Sequence, residues 1–100
     1  MIIETALPDF QLRQATRDDC GLILGFIQEL ADYEKLSHEV VATPAILEET
    51  LFGDKAYAEV IIGEYQGKAV GYALFFHNFS TFTGRPGIYL EDLYVQPAMR

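Results

Sequence analysis

A strand-forming run with two adjacent carboxylates at its centre limits what this chain can fold into. Gly87-Ile88-Tyr89-Leu90-Glu91-Asp92-Leu93-Tyr94-Val95-Gln96-Pro97 follows a turn-forming Gly84-Arg85-Pro86-Gly87 segment. It stops at Pro97, whose nitrogen cannot donate to a sheet ladder. β-Branched and aromatic residues dominate between those marks, which predicts a strand. Successive strand residues point to opposite faces, so one of Glu91 and Asp92 must face whatever the sheet covers. A buried carboxylate without partners costs several kcal/mol, so this pair is the first place to look for chemistry.

The rest of the chain reads as one set of elements around that strand. Met1 to Pro8 is a short mixed lead-in, and Phe10 to Ala15 alternates apolar and polar residues like a strand with one buried face. Thr16 is placed as the N-cap of a helix with Asp18 and Asp19 in its first turn, where the helix dipole favours carboxylates. Cys20, Ile23, Leu24, Ile27, Leu30 and Ala31 then recur at three- and four-residue spacing, an amphipathic stripe. Thr43-Pro44 opens a second helix with Ile46, Leu47, Thr50 and Leu51 inward, and Gly53 stops it. Tyr57 to Tyr65 and Lys68 to His77 form a hairpin through Gln66-Gly67. On the second of these strands Val70, Tyr72, Leu74 and Phe76 share a face. The small residues on its other face, Ala69, Gly71 and Ala73, suggest a helix packed close there. Asn78 to Gly87 reads as an irregular loop.

Composition excludes several classes of function. A formal charge of −8 disfavours nucleic acid, whose phosphates demand a basic surface, and suits a cationic ligand without requiring one. Cys20 is the sole cysteine, which rules out an internal disulfide or a cysteine-based zinc site, and on the helix stripe it reads as a small core residue. His38 and His77 lack the spacing of a metal pair. Ser80, Thr81 and Thr83 belong to no Ser-His-Asp pattern, and Gly84 to Gly87 is too short to cradle a phosphate. With no membrane-length apolar run and no basic leader, the expectation is a cytoplasmic protein that binds neither nucleic acid nor membrane.

Tyr89-Leu90-Glu91-Asp92-Leu93-Tyr94-Val95 followed by Gln96-Pro97-Ala98-Met99-Arg100 resembles the fourth strand of the GNAT N-acetyltransferases. Within that superfamily it resembles the diamine (spermidine/spermine) and thialysine acetyltransferases. Two earlier segments add to this. The strand followed by Ala15-Thr16-Arg17-Asp18-Asp19-Cys20 is similar to the family's opening. Gln28-Glu29-Leu30-Ala31-Asp32-Tyr33-Glu34 is similar to a helix end that helps bind polyamine there. The resemblance implies an α+β fold with a largely antiparallel sheet in the order β-α-α-β-β-β. Residues 1–100 would be the N-terminal portion of a single acetyltransferase domain, ending at the Arg that opens the pyrophosphate loop.

By the same resemblance, acetyl-CoA is the donor and a primary amine of a small cationic molecule, polyamine or lysine-like, is the acceptor. Glu91 would be the general base, with Tyr33, Glu34 and Asp92 holding the substrate. Leu93, Tyr94, Val95 and Arg100 would contact the cofactor, and the complete protein would be a homodimer. A bulge is common in that strand of the family, where it turns a backbone N–H toward the reacting carbonyl. Two other readings stay open. Tyr33 and Glu34 fit a solvated helix face, and either carboxylate of the pair could merely satisfy backbone donors at a bulge. At the level of the chain, the alternative to an enzyme is a non-catalytic GNAT-like binding or assembly module. The 100-residue chain alone is expected to be inactive, because the cofactor loop would lie beyond it.

Overall fold

In the computed structural model, which describes residues 2–4 and 9–99, the chain begins with a strand where the sequence suggests only a lead-in. β1 (Ile2–Glu4) runs antiparallel to β2 (Phe10–Gln14), with Ile2 opposite Arg13 and Glu4 opposite Gln11. Three residues are too few to show a period, so this strand is defined by the edge it pairs with rather than by its own pattern.

Thr16 leads into a 3₁₀ turn (Arg17–Asp19) that runs straight into α1 (Cys20–Tyr33). The Thr16 backbone N–H donates to Asp19 Oδ2 at 2.7 Å, the reciprocal half of a capping box. α2 (Pro44–Phe52) is capped as the sequence predicts, the Ile46 N–H donating to Thr43 Oγ1 at 3.2 Å and Gly53 ending the helix. A helix this short offers the core one i, i+4 row, and that row is Leu47 and Leu51; Ile46, expected to face inward, is 47% exposed.

β3 (Glu59–Tyr65) and β4 (Lys68–Ser80) are joined by Gln66 and Gly67 at φ of 53° and 77°, the left-handed pair that a two-residue hairpin turn requires. β3 starts at Glu59 rather than Tyr57. β5 (Arg85–Val95) pairs with β4 as far as Ser80 opposite Arg85, so most of the expected Asn78–Gly87 loop is a ladder. Only residues 81–84 turn, with Gly84 at φ 68°. Pro86 is tolerated in β5 because this is an edge strand, where a missing donor need not break a ladder.

The five strands among the described residues lie in chain order, every neighbouring pair antiparallel. Register across the sheet sets the two faces. Ile62, Tyr72 and Tyr94 sit side by side in one row, and Val60, Leu74 and Asp92 in the next. Both helices pack on this face: Cys20, Ile23 and Phe26 of α1 and Leu47 and Leu51 of α2 join Val60, Ile62, Tyr72 and Tyr94 in one core. The helix expected against the small-residue face of β4 is therefore on the opposite face. Gly71 is small for another reason, since a Cβ there would strike the Tyr94 carbonyl and lie 3.1 Å from Val95 Cα. The expected alternation also slips at Val70. A bulge pairs Gly63 with Gly71 and Glu64 with Ala69, and it is Ala69 that packs against the core.

Candidate functional site

The site is made by a second bulge. Leu74 pairs with Asp92 and Phe75 with Leu90, which leaves Glu91 as an extra residue in β5. Strict alternation would send Glu91 and Asp92 to opposite faces; the inserted residue relaxes that rule locally. Both carboxylates consequently line one open groove of about 360 Å³. Asp92 continues the helix-side row and is half-buried, whereas Glu91 is exposed at the rim.

The facing wall comes from the end of α1 and the reversal after it. Glu34 caps the helix, and Lys35 takes the left-handed conformation at φ 60°. The Leu36 N–H then donates to Ala31 O at 2.7 Å and the Lys35 N–H to Asp32 O at 3.0 Å, the paired bonds of a Schellman ending. That sharp reversal folds Leu36 and a 3₁₀ turn (Ser37–Glu39) back against the helix, so Glu34 and Glu39 reach the same groove. Its lining is Ile27, Leu30, Ala31, Leu36 and Val40 with four carboxylates, Glu34, Glu39, Glu91 and Asp92, and no Lys or Arg. An apolar floor with a rim of one charge sign suits a ligand with methylenes between positive groups.

Hydrogen bonds anchor β5 under the helix. Tyr72, beneath the groove, donates its O–H to Asp92 Oδ2 at 2.8 Å. Burial and the adjacent carboxylate push the Tyr72 hydroxyl far above the usual tyrosine range. Tyr94, beside Tyr72 in the same row, donates its O–H to Glu29 Oε1 at 3.0 Å and so ties β5 to α1. The aromatic rings interlock here, Phe26 lying 5.8 Å from Tyr72 and 6.0 Å from Tyr94 between centroids.

Of the residues singled out in the sequence, Glu34, Glu91 and Asp92 are brought together. Tyr33 is 67% exposed and does not line the groove. Leu93, Tyr94 and Val95 follow the bulge on the edge strand: Leu93 is exposed, Tyr94 belongs to the core and Val95 is half-buried. Arg100 lies outside the described residues. Sequence reasoning missed Glu39, which has no local signal, and Tyr72, which had one: a buried tyrosine needs a partner for its hydroxyl. Cys20 is buried in the core, and burial raises its thiol pKa, as expected of an inert cysteine. His77 Nδ1 lies 3.5 Å from Glu59 Oε2, and among the described residues no group of three or more His, Cys, Asp or Glu could hold a metal ion. No helix of the described residues is long and apolar enough to cross a membrane.

In fold and in sequence the chain is similar to the GNAT N-acetyltransferases. It is 44% identical over 98 residues to the thialysine N-ε-acetyltransferase of Mus musculus, a match covering 90% of this chain and 57% of that protein. It is 35% identical over 102 residues to the human spermidine/spermine N(1)-acetyltransferase-like protein 1, covering 95% of this chain and 14% of that one. The fold is also that of an aminoglycoside acetyltransferase from an uncultured soil metagenomic sample, solved in complex with sisomicin. That likeness has a TM-score of 0.73 at 14% identity, over 92% of this chain and 59% of that one. The chain spans a little over half the length of the thialysine acetyltransferases it matches, 57% in the mouse protein and 56% in that of Sus scrofa. No family model matches the chain.

Proposed function

We propose that this chain carries the acceptor side of an acetyl-CoA-dependent N-acetyltransferase whose substrate is a small amine bearing more than one positive charge, lysine-like or polyamine. The observation behind this reading is the groove in which Glu34, Glu39, Glu91 and Asp92 rim an apolar floor. A single exposed ion pair contributes only about 0–1 kcal/mol, so a singly charged amine gains little there. A second ammonium held by Glu34 and Glu39 adds to the attraction, and Ile27, Leu30, Leu36 and Val40 pack the methylenes between the charges.

An ammonium must lose a proton before it can attack a carbonyl carbon. Glu91 is the proton acceptor in this reading, directly or through a water, because the bulge puts it on the groove yet leaves it exposed enough to pass the proton to solvent. Asp92 holds the amine in line. Acetyl-CoA, when bound, supplies the acetyl group as an activated thioester. Leu93, Tyr94 and Val95, on the strand edge with which no strand among the described residues pairs, would hold its pantetheine arm. Arg100 is the proposed start of its pyrophosphate contacts.

Titrating the chain with thialysine, spermidine and butylamine, followed by NMR, tests the acceptor half. Binding of the first two with shifts at Glu91 and Asp92, weakening as salt rises, is the expected result. Equal binding of butylamine would sink the charge argument. Acetylation of the same amines by the full gene product, detected by mass spectrometry, tests the reaction.

A further inference from the structure

We propose that Tyr72 is a positioning residue: its hydroxyl fixes Asp92 in the orientation that receives the substrate ammonium. The inference rests on the reading of the groove as an amine site.

Three features of the geometry carry it. Asp92 lies on the edge strand beside an inserted residue, where a bulge re-aims the side chain. Its hydrogen-bond partner among the described residues is the Tyr72 hydroxyl at 2.8 Å. Tyr72 in turn is packed in the core: it is 2% exposed, and its ring lies 5.8 Å from that of Phe26 at an interplanar angle of 7°. A buried ring thus delivers one polar atom to a carboxylate at the groove surface. The contact engages Oδ2, and Oδ1 is left to accept from a ligand.

The polarity of the contact is fixed as well. Burial, the Asp92 hydrogen bond and the nearby charges of Asp92 and Glu34 all disfavour ionisation of Tyr72, so its oxygen stays a donor. A phenylalanine would fill the same core space, so what the hydroxyl adds is the orientation of Asp92.

Substitution in the full gene product separates this role from a structural one. Tyr72→Phe keeps the ring and its packing. The amine KM is expected to rise about 10- to 150-fold, the range for losing one hydrogen bond to a charged group, while the acetyl-CoA KM stays the same. Asp92→Asn should also raise the amine KM, and adding Tyr72→Phe to it should change little further, since the two act as a unit. Asp92→Glu, with Tyr72 untouched, keeps the charge but displaces it by a methylene; a loss like that of Tyr72→Phe is expected, and this variant does not disturb the core. An unchanged amine KM in Tyr72→Phe or in Asp92→Glu, beside a raised one in Asp92→Asn, would overturn the positioning role alone. No change in Asp92→Asn would overturn the amine site, and the positioning role with it.

Discussion

At the scale of single residues, one inserted residue gives Glu91 and Asp92 different surroundings, which suits the two different roles proposed for them. Asp92 is held from below by Tyr72, while Glu91 stands exposed on the same groove. A general base should be free to exchange its proton with solvent, and a binding carboxylate should be fixed; the proposed roles follow that requirement. Glu91→Gln keeps the shape and removes the basicity. In the full gene product it should lower kcat/KM by roughly 10²–10⁴-fold at neutral pH. The deficit should shrink in alkaline solution, where more of the amine is already unprotonated. A pH–rate profile of both forms measures this, and a variant with near-normal activity at neutral pH would remove Glu91 from the mechanism.

At the scale of elements, the entry to α1 is clamped by a polar network that sets where the helix crosses the sheet. Arg13 of β2 donates from Nη1 and Nη2 to Asp19 at 2.7 and 2.8 Å, and from Nε to Glu64 at 3.1 Å. The Arg13 hydrogen bonds hold the Asp19 carboxyl at about 2, below its ordinary 3.8. A carboxyl depressed in the folded state stabilises the fold above its unfolded value and loses that contribution as pH falls through the folded one. The Asp19 side chain is only 12% exposed, so the shift is worth about 2 kcal/mol. Wild type and Asp19→Asn should therefore differ in unfolding free energy by about that amount above pH ~4 and converge near pH ~2. Denaturant unfolding by circular dichroism along a pH series checks it; a gap that persists at the acid end would assign it to something other than this ion pair. The β4–β5 contact offers a second test. Gly71→Ala drives a Cβ into the Tyr94 carbonyl and should cost about 1–3 kcal/mol, whereas Gly63→Ala meets only the movable Phe10 ring at 3.2 Å and should cost less. Thermal melts of the two variants rank them. These elements also show what a sequence reveals. The helix caps at Thr16 and Thr43 and the Gln66-Gly67 turn were legible because their chemistry is local. The bulge at Val70, the face chosen by α1 and the Glu39 wall were not, because each depends on which backbone lies alongside. Glu91 and Asp92 were found as adjacent carboxylates on a predicted strand and Glu34 through the resemblance of its segment, but the groove that unites them is a product of register.

At the scale of the whole molecule, two features pull against each other in solution. The formal charge of −8 makes copies of the chain repel at low ionic strength. Against this, β5 lies at the edge of the sheet and the β4–β5 hairpin exposes Phe79, Phe82, Ile88, Leu90 and Leu93. An open strand edge flanked by apolar side chains favours pairing with another chain, and no strand among the described residues pairs with it. Salt screens the repulsion within about 8 Å at 0.15 M and leaves the apolar attraction intact or stronger. Self-association should therefore rise with ionic strength, seen as growing light scattering between ~0.02 and ~0.5 M sodium chloride at fixed protein concentration. Leu90→Lys, which puts a charge on the edge strand, should suppress the rise without lowering the melting temperature by more than a few degrees, since Leu90 is already exposed. Scattering that falls with salt would mean that copies meet through complementary charges instead. The basic residues Arg85, Lys68 and Lys55 against the acidic groove would then be the surface to examine.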